Sequence, residues 1–109
     1  MTAELVPIFF AKDAHASAEW YARLGFELEG KHQFAPGMPY YLFLRLGSSH
    51  LHLSEHRGDA KKNSLAYLYV DDIDEVAKEF GVAVIDQPWA REVHLTDPAK
   101  NRLRVGQRR

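Results

Sequence analysis

The chain runs through one pattern twice, and that repetition limits its fold more than any single motif does. Residues 5–10, Leu-Val-Pro-Ile-Phe-Phe, are a short apolar run rich in β-branched and aromatic side chains, the composition of a strand. Asp13 follows where an N-cap carboxylate would accept from the free amides of a first helical turn. Residues 14–24 place Ala18, Tyr21, Ala22 and Leu24 near one helical face, with Trp20 at its margin, and Gly25 supplies a stop. Residues 65–70 then read as a second such strand, Asp71-Asp72 as caps, residues 73–80 as a second helix and Gly81 as its stop. The two junctions correspond, Leu24-Gly25-Phe26 against Phe80-Gly81-Val82. Three extended segments follow each helix: residues 26–29, 40–46 and 50–54, then residues 82–85, 93–95 and 103–105. The pattern predicts an α+β fold made of two βαβββ modules in tandem. A ferredoxin-like plan is the competing arrangement, but it uses only four strands. The reading is of a single domain over residues 1–109, with module one at about 3–57 and module two at about 64–106. The polar residues 55–63 link them.

The extended segments alternate with a period of two. Leu42, Leu44 and Leu46 share one face, and Tyr41, Phe43 and Arg45 the other. His50 and His52 lie opposite Leu51 and Leu53, and Tyr67 and Tyr69 share a face. Pro7 has no amide hydrogen, so its strand is expected at a sheet edge, or Pro7 faces away from its neighbour. Pro36-Gly37 and residues 97–101, Asp-Pro-Ala-Lys-Asn, are turn signals.

Composition removes several function classes. With 109 residues there is room for one hydrophobic core. The absence of cysteine excludes disulfides, thiolate metal sites and a cysteine nucleophile. Fourteen basic residues against 15 acidic ones give a net charge of −1, which argues against nucleic acid and against a polybasic membrane anchor. No apolar run approaches the ~18 residues of a membrane span, and the N-terminus lacks the pattern of a signal peptide. A cytoplasmic location is the expectation. There is no glycine-rich phosphate loop and no nucleophile elbow around Ser54.

Strand, Asp13, a helix holding Trp20-Tyr21, and Leu24-Gly25-Phe26 form a recognisable opening; Pro88-Trp89-Ala90-Arg91-Glu92 followed by residues 97–101 form a recognisable close. In this order and spacing they resemble the glyoxalase/bleomycin resistance/dioxygenase superfamily (vicinal oxygen chelate fold), and most of all the bleomycin resistance proteins. The resemblance covers nearly the whole chain. It implies two incompletely closed sheets curled around a cavity, with helices on the convex side. Leu42, Leu44, Leu46, Leu51, Leu53, Leu103 and Val105 would then face the helices. Tyr41, Phe43, Arg45, His50, His52, Tyr67, Tyr69, His94, Arg102 and Arg104 would line the cavity. Lys100 stands where the family usually has glycine, so either the turn is altered or Asn101 takes the left-handed conformation.

Enzymes of the superfamily hold a divalent ion with ligands from the first and last strands of each module. Carried over position by position, those sites fall on Val6, Leu65, His52 and Arg104. One legitimate ligand, two apolar residues and a cation do not make a divalent site, so no metal and no cofactor are expected. A displaced site would draw on His52, His94 and Glu92. The resemblance favours a binding protein, with Phe34, Tyr41, Phe43, His52, Tyr67, Trp89 and Arg104 as the ligand-contacting set. The expected activity is sequestration of a planar aromatic small molecule in a groove between the two subunits of a homodimer. The alternative is a metal-dependent glyoxalase- or dioxygenase-type enzyme with a displaced metal site.

Overall fold

The computed structural model describes residues 1–109 and resolves the repeated pattern into two halves of identical connectivity. The first half is β1 (Ile8–Phe10), α1 (Ala14–Ala22), β2 (Glu27–His32), β3 (Tyr41–Leu46) and β4 (Ser49–Ser54). The second is β5 (Leu65–Tyr69), α2 (Ile73–Phe80), β6 (Ile85–Asp86), β7 (Ala90–Thr96) and β8 (Arg102–Arg108). Each half forms one four-stranded mixed sheet, in the orders β1-β4-β3-β2 and β5-β8-β7-β6. In both, the first strand runs parallel to the last and the other pairs are antiparallel. The fold is α+β, two βαβββ halves with open sheets.

The local signals work as elementary chemistry dictates. Asp13 caps α1 by accepting from the Ala16 amide, and Asp72 caps α2 by accepting from the Glu75 amide. Gly81 ends α2 in the left-handed conformation, φ 64°. The strand with Pro7 just before it is indeed an edge, and the Pro7 carbonyl still accepts from the His52 amide. Two expectations need correction. The segment expected as a strand at residues 82–85 pairs only at Ile85 and Asp86: the Val82 amide donates to the Ala77 carbonyl at the end of α2, and Val82 and Val84 pack against the core without joining the ladder. In the 97–101 turn, Lys100 itself takes the left-handed conformation, φ 74°, and Asn101 does not. Asn101 is needed elsewhere.

Leu42, Leu44, Leu51, Leu53, Leu103 and Val105 are buried beneath the helices, with Phe9, Ile73, Val93 and Leu95. Their removal from water drives the fold. Yet only 21 of 109 residues are buried, and the molecule is a plate of 46 × 38 × 22 Å. Helices cover one side of the sheets; the other side is open.

The halves share no strand pairing. One apolar core continuous through both halves joins them instead, together with a buried polar clasp. The Tyr21 hydroxyl of α1 donates to the Asp97 carboxylate at 2.7 Å, and Asp97 also accepts from the amides of Ala99 and Asn101. The Asn101 side-chain amide donates to the Phe10 carbonyl at 2.7 Å and to Asp97, while its carbonyl accepts from the Ser64 amide. The end of β1 and the approach to β5 are thereby fixed to one turn. Burial, with the Asp97 charge behind it, pushes the Tyr21 phenol far above its ordinary value, so the hydroxyl stays a donor.

Candidate functional site

The period-two alternation places alternate residues on the open side of each sheet, and these form two clusters. In the first half, Tyr41 and Phe43 of β3 lie beside His52 of β4. The Tyr41 hydroxyl is 2.8 Å from His52 Nδ1, and the ring centroids of Phe43 and His52 are 4.8 Å apart, edge to face. Burial lowers the His52 pKa, and the neighbouring His50 adds to the effect, against the opposing pull of Glu4 and Glu29. The ring is therefore neutral at pH 7. Burial also raises the Tyr41 phenol, with the Asp59 charge second. Around this cluster Arg45 pairs with Glu29 and Glu27, and His50 Nδ1 lies 2.8 Å from the Glu4 carboxylate.

In the second half, Tyr67 and Tyr69 of β5 stack at 4.7 Å, and the Arg108 guanidinium lies 3.7 Å over the Tyr69 ring. The Tyr67 hydroxyl donates to Glu92 at 2.6 Å. Gly106 of β8 makes that possible, since a Cβ there would collide with the Tyr67 hydroxyl and ring. Glu92 is 1% exposed although it sits on the open side, sealed by Tyr67, by His94 at 2.9 Å and by Gln87. These partners, Tyr67 foremost and then His94, hold its carboxyl below the usual range against the opposing effect of burial. The Tyr67 phenol is pushed up to about 12, by burial first and the Glu92 hydrogen bond second, with the adjacent Trp89 indole acting the other way. Trp89 is 54% exposed. Arg102, Arg104 and Arg108 project from the same side of β8, and none forms an ion pair.

The structure thus brings together Tyr41, Phe43 and His52 in one half, and Tyr67 with Trp89 in the other, with Arg104 opposite Tyr67 in the register. Phe34 stands apart. It lies on the β2–β3 loop, 71% exposed, edge-on to His32 and His56. The displaced metal set is not assembled. Glu92 and His94 are neighbours, but His52 is bonded to Tyr41 in the other sheet, and no three such groups converge. At the positions matching the superfamily's metal, Val6 precedes β1 and Leu65 opens β5, both apolar, and Arg104 is a cation. The residues present do not fit a divalent ion. The sealed state of Glu92 depends on β5, β7 and β8 meeting around Gly106, and the local sequence carries no signal for it.

Two βαβββ halves in tandem, each an open mixed sheet with a helix on one side, define the class of fold. The chain belongs to the glyoxalase superfamily: the family model described as glyoxalase superfamily protein matches residues 2–109. No curated protein sequence matches it. Among solved structures, it is similar to a bleomycin-binding protein complexed with bleomycin, at 23% identity over 99% of this chain and 100% of that one, TM-score 0.74. It is similar to a bleomycin resistance determinant encoded on the transposon Tn5, at 22% identity over 98% of both, TM-score 0.76. It is equally similar to a lactoylglutathione lyase from Agrobacterium tumefaciens, at 23% identity over 98% of this chain and 94% of that one, TM-score 0.74. At these identities the likeness establishes the fold. Function has to be argued from the residues.

Proposed function

We propose that the chain is a metal-free small-molecule binding protein of the bleomycin-resistance type. It acts as a homodimer and holds a planar aromatic ligand between the open faces of two protomers. The observation that carries this reading is the open side itself. Tyr67, Tyr69, Trp89, Ile8 and Leu65 are exposed there, beside the Tyr41–Phe43–His52 cluster. Exposed apolar area of this extent is the mark of a ligand or partner surface. The open face supplies one wall of a groove, and a second protomer supplies the other. Charge supports that pairing: on the first half Glu4, Glu27 and Glu29 outnumber the one arginine among them, Arg45, and on the second stand three arginines without an ion pair. Those arginines also favour a neutral or anionic planar ligand over a cationic one such as bleomycin.

The test is a titration of planar aromatic antibiotics, bleomycin included, followed by Trp89 fluorescence in a Trp20→Phe background. Trp89→Ala is expected to weaken binding by about 1–3 kcal/mol while light scattering still gives a dimer. Unchanged binding in Trp89→Ala, Phe43→Ala and Tyr67→Ala would remove the groove from consideration. One tightly held metal ion per chain, lost in His52→Ala, would favour the enzyme instead.

A further inference from the structure

A wide cleft of about 1180 Å³ lies away from the open face. It lies at one end, where the chain after β1, the β2–β3 loop, the connection between the halves and the β7–β8 turn come together. None of the aromatic and arginine side chains of the open face lines it. Its charge is unlike that of the rest of the chain. Lys12, Arg57, Lys61, Lys62 and Lys100 all border it, four of the six lysines in a chain whose net charge is −1. None of the five forms an ion pair. The two carboxylates of the cleft are engaged by the backbone. Glu55 accepts from the Ala14 amide at 2.8 Å and the Tyr40 amide at 2.9 Å, and Asp13 caps α1. They hold the walls in place and leave the cationic groups without a partner. Phe10 and Tyr40 add an aromatic side to the wall, with the Lys62 ammonium 5.9 Å from the Phe10 ring.

Lys100 supplies an independent observation. It holds φ 74°, a conformation that glycine takes freely and lysine takes only at a cost. The turn imposes this conformation on whatever residue stands there, and a lysine at it sets a cation beside the cleft where a glycine would set none.

We infer that this cleft is a second ligand site, separate from the open-face groove, which takes a small molecule carrying clustered negative charge, phosphate or carboxylate. At about 1180 Å³ the cleft is somewhat larger than the ~300–1,000 Å³ of ordinary small-molecule sites, with room for a ligand and its bound water. The cations ring a concavity and do not run along a stripe, as they would for a nucleic acid.

Chemical-shift titration of the full chain with inorganic pyrophosphate, and separately with citrate, tests this. Saturable shifts are expected at Lys12, Lys61, Lys62 and Lys100, and the tighter of the two anions identifies the head group. Charge reversal at two exposed positions, Lys61→Glu with Lys62→Glu, should weaken binding about tenfold or more. Lys78→Glu on α2 should leave it within about twofold. Lys100→Gly should move two readouts in opposite directions: the melting temperature rises by about 5 °C, and anion affinity falls. Failure of both anions to saturate by about 10 mM, shifts centred on Arg102 and Arg104, or a Lys100→Gly variant that gains stability with unchanged affinity would each overturn the proposal.

Discussion

The two halves have the same connectivity and different work. Helix α1 buries Ala14, Ser17 and Tyr21, and it reaches across to the second half through Tyr21 to Asp97, Trp20 to Phe80 and Arg23 to Glu79. Helix α2 buries only Ile73, is anchored where the Gln107 side chain accepts from the Ile73 amide, and meets the first half only at its last turn, through Glu79 and Phe80. Strand β2 has six residues and its counterpart β6 only two. The open faces diverge further. The first half surrounds a neutral histidine with aromatic rings and paired charges; the second seals a carboxylate and leaves three arginines without an ion pair, one of them over Tyr69. Beneath the helices the halves remain alike, leucine and valine packed in alternation. Residues that answer to the core are held to one chemistry. Residues that answer to a ligand or a partner are released from it.

The largest break in this comparison is expected at the clasp. Asn101→Ala removes the partners of the Phe10 carbonyl and the Ser64 amide and one donor to Asp97. The loss should be about 3 kcal/mol or more by chemical denaturation. The corresponding hairpin turn of the first half carries no such clasp, and Ser48→Ala there should change stability by less than about 0.5 kcal/mol. Comparable costs at the two turns would show that the halves are not joined in this asymmetric way.

The next effect belongs to the second half alone. Gly106→Ala drives the Tyr67 hydroxyl off Glu92. It should cost about 1–3 kcal/mol and raise the Glu92 pKa toward the ordinary carboxylate value, read by carboxyl chemical shifts. An unchanged Glu92 titration would mean that Tyr67 does not seal it.

The smallest effect separates the halves by pH. His52 has a lowered pKa in the fold, so the folded state binds the proton less well than the unfolded chain does. That costs stability as pH falls below 6.5 toward the folded value. Glu92 is also lowered, and its contribution is present above the ordinary 4.5 and lost as pH falls through its folded value. Hydrogen exchange should therefore show β3 and β4 loosening first on acidification, with β7 and β8 following only in stronger acid. A His52→Gln variant should lose the first step.

Residues 41–54 announced their strands and faces because alternation is a local property, and Asp13, Asp72 and Gly81 announced helix ends for the same reason. Residues 82–84 misled because apolar β-branched residues satisfy a strand pattern and a packing role equally well. Glu92 read as a possible ligand, and only the meeting of three strands around Gly106 shows it engaged. The 97–101 segment read as a turn, which it is. That its Asp and Asn hold the halves together depends on residues up to 91 positions away in the chain, and no local pattern reports them.

Because neither sheet lends a strand to the other, the peptide between the halves is a tether and not a beam. Its part is to raise the effective concentration of one half near the other, on the order of millimolar for a short link, while the Tyr21–Asp97–Asn101 contacts define how they meet. A chain of this design, nicked in that connection, is expected to reassemble from its two pieces around the core they share, and to tolerate an order in which the second half is synthesised first.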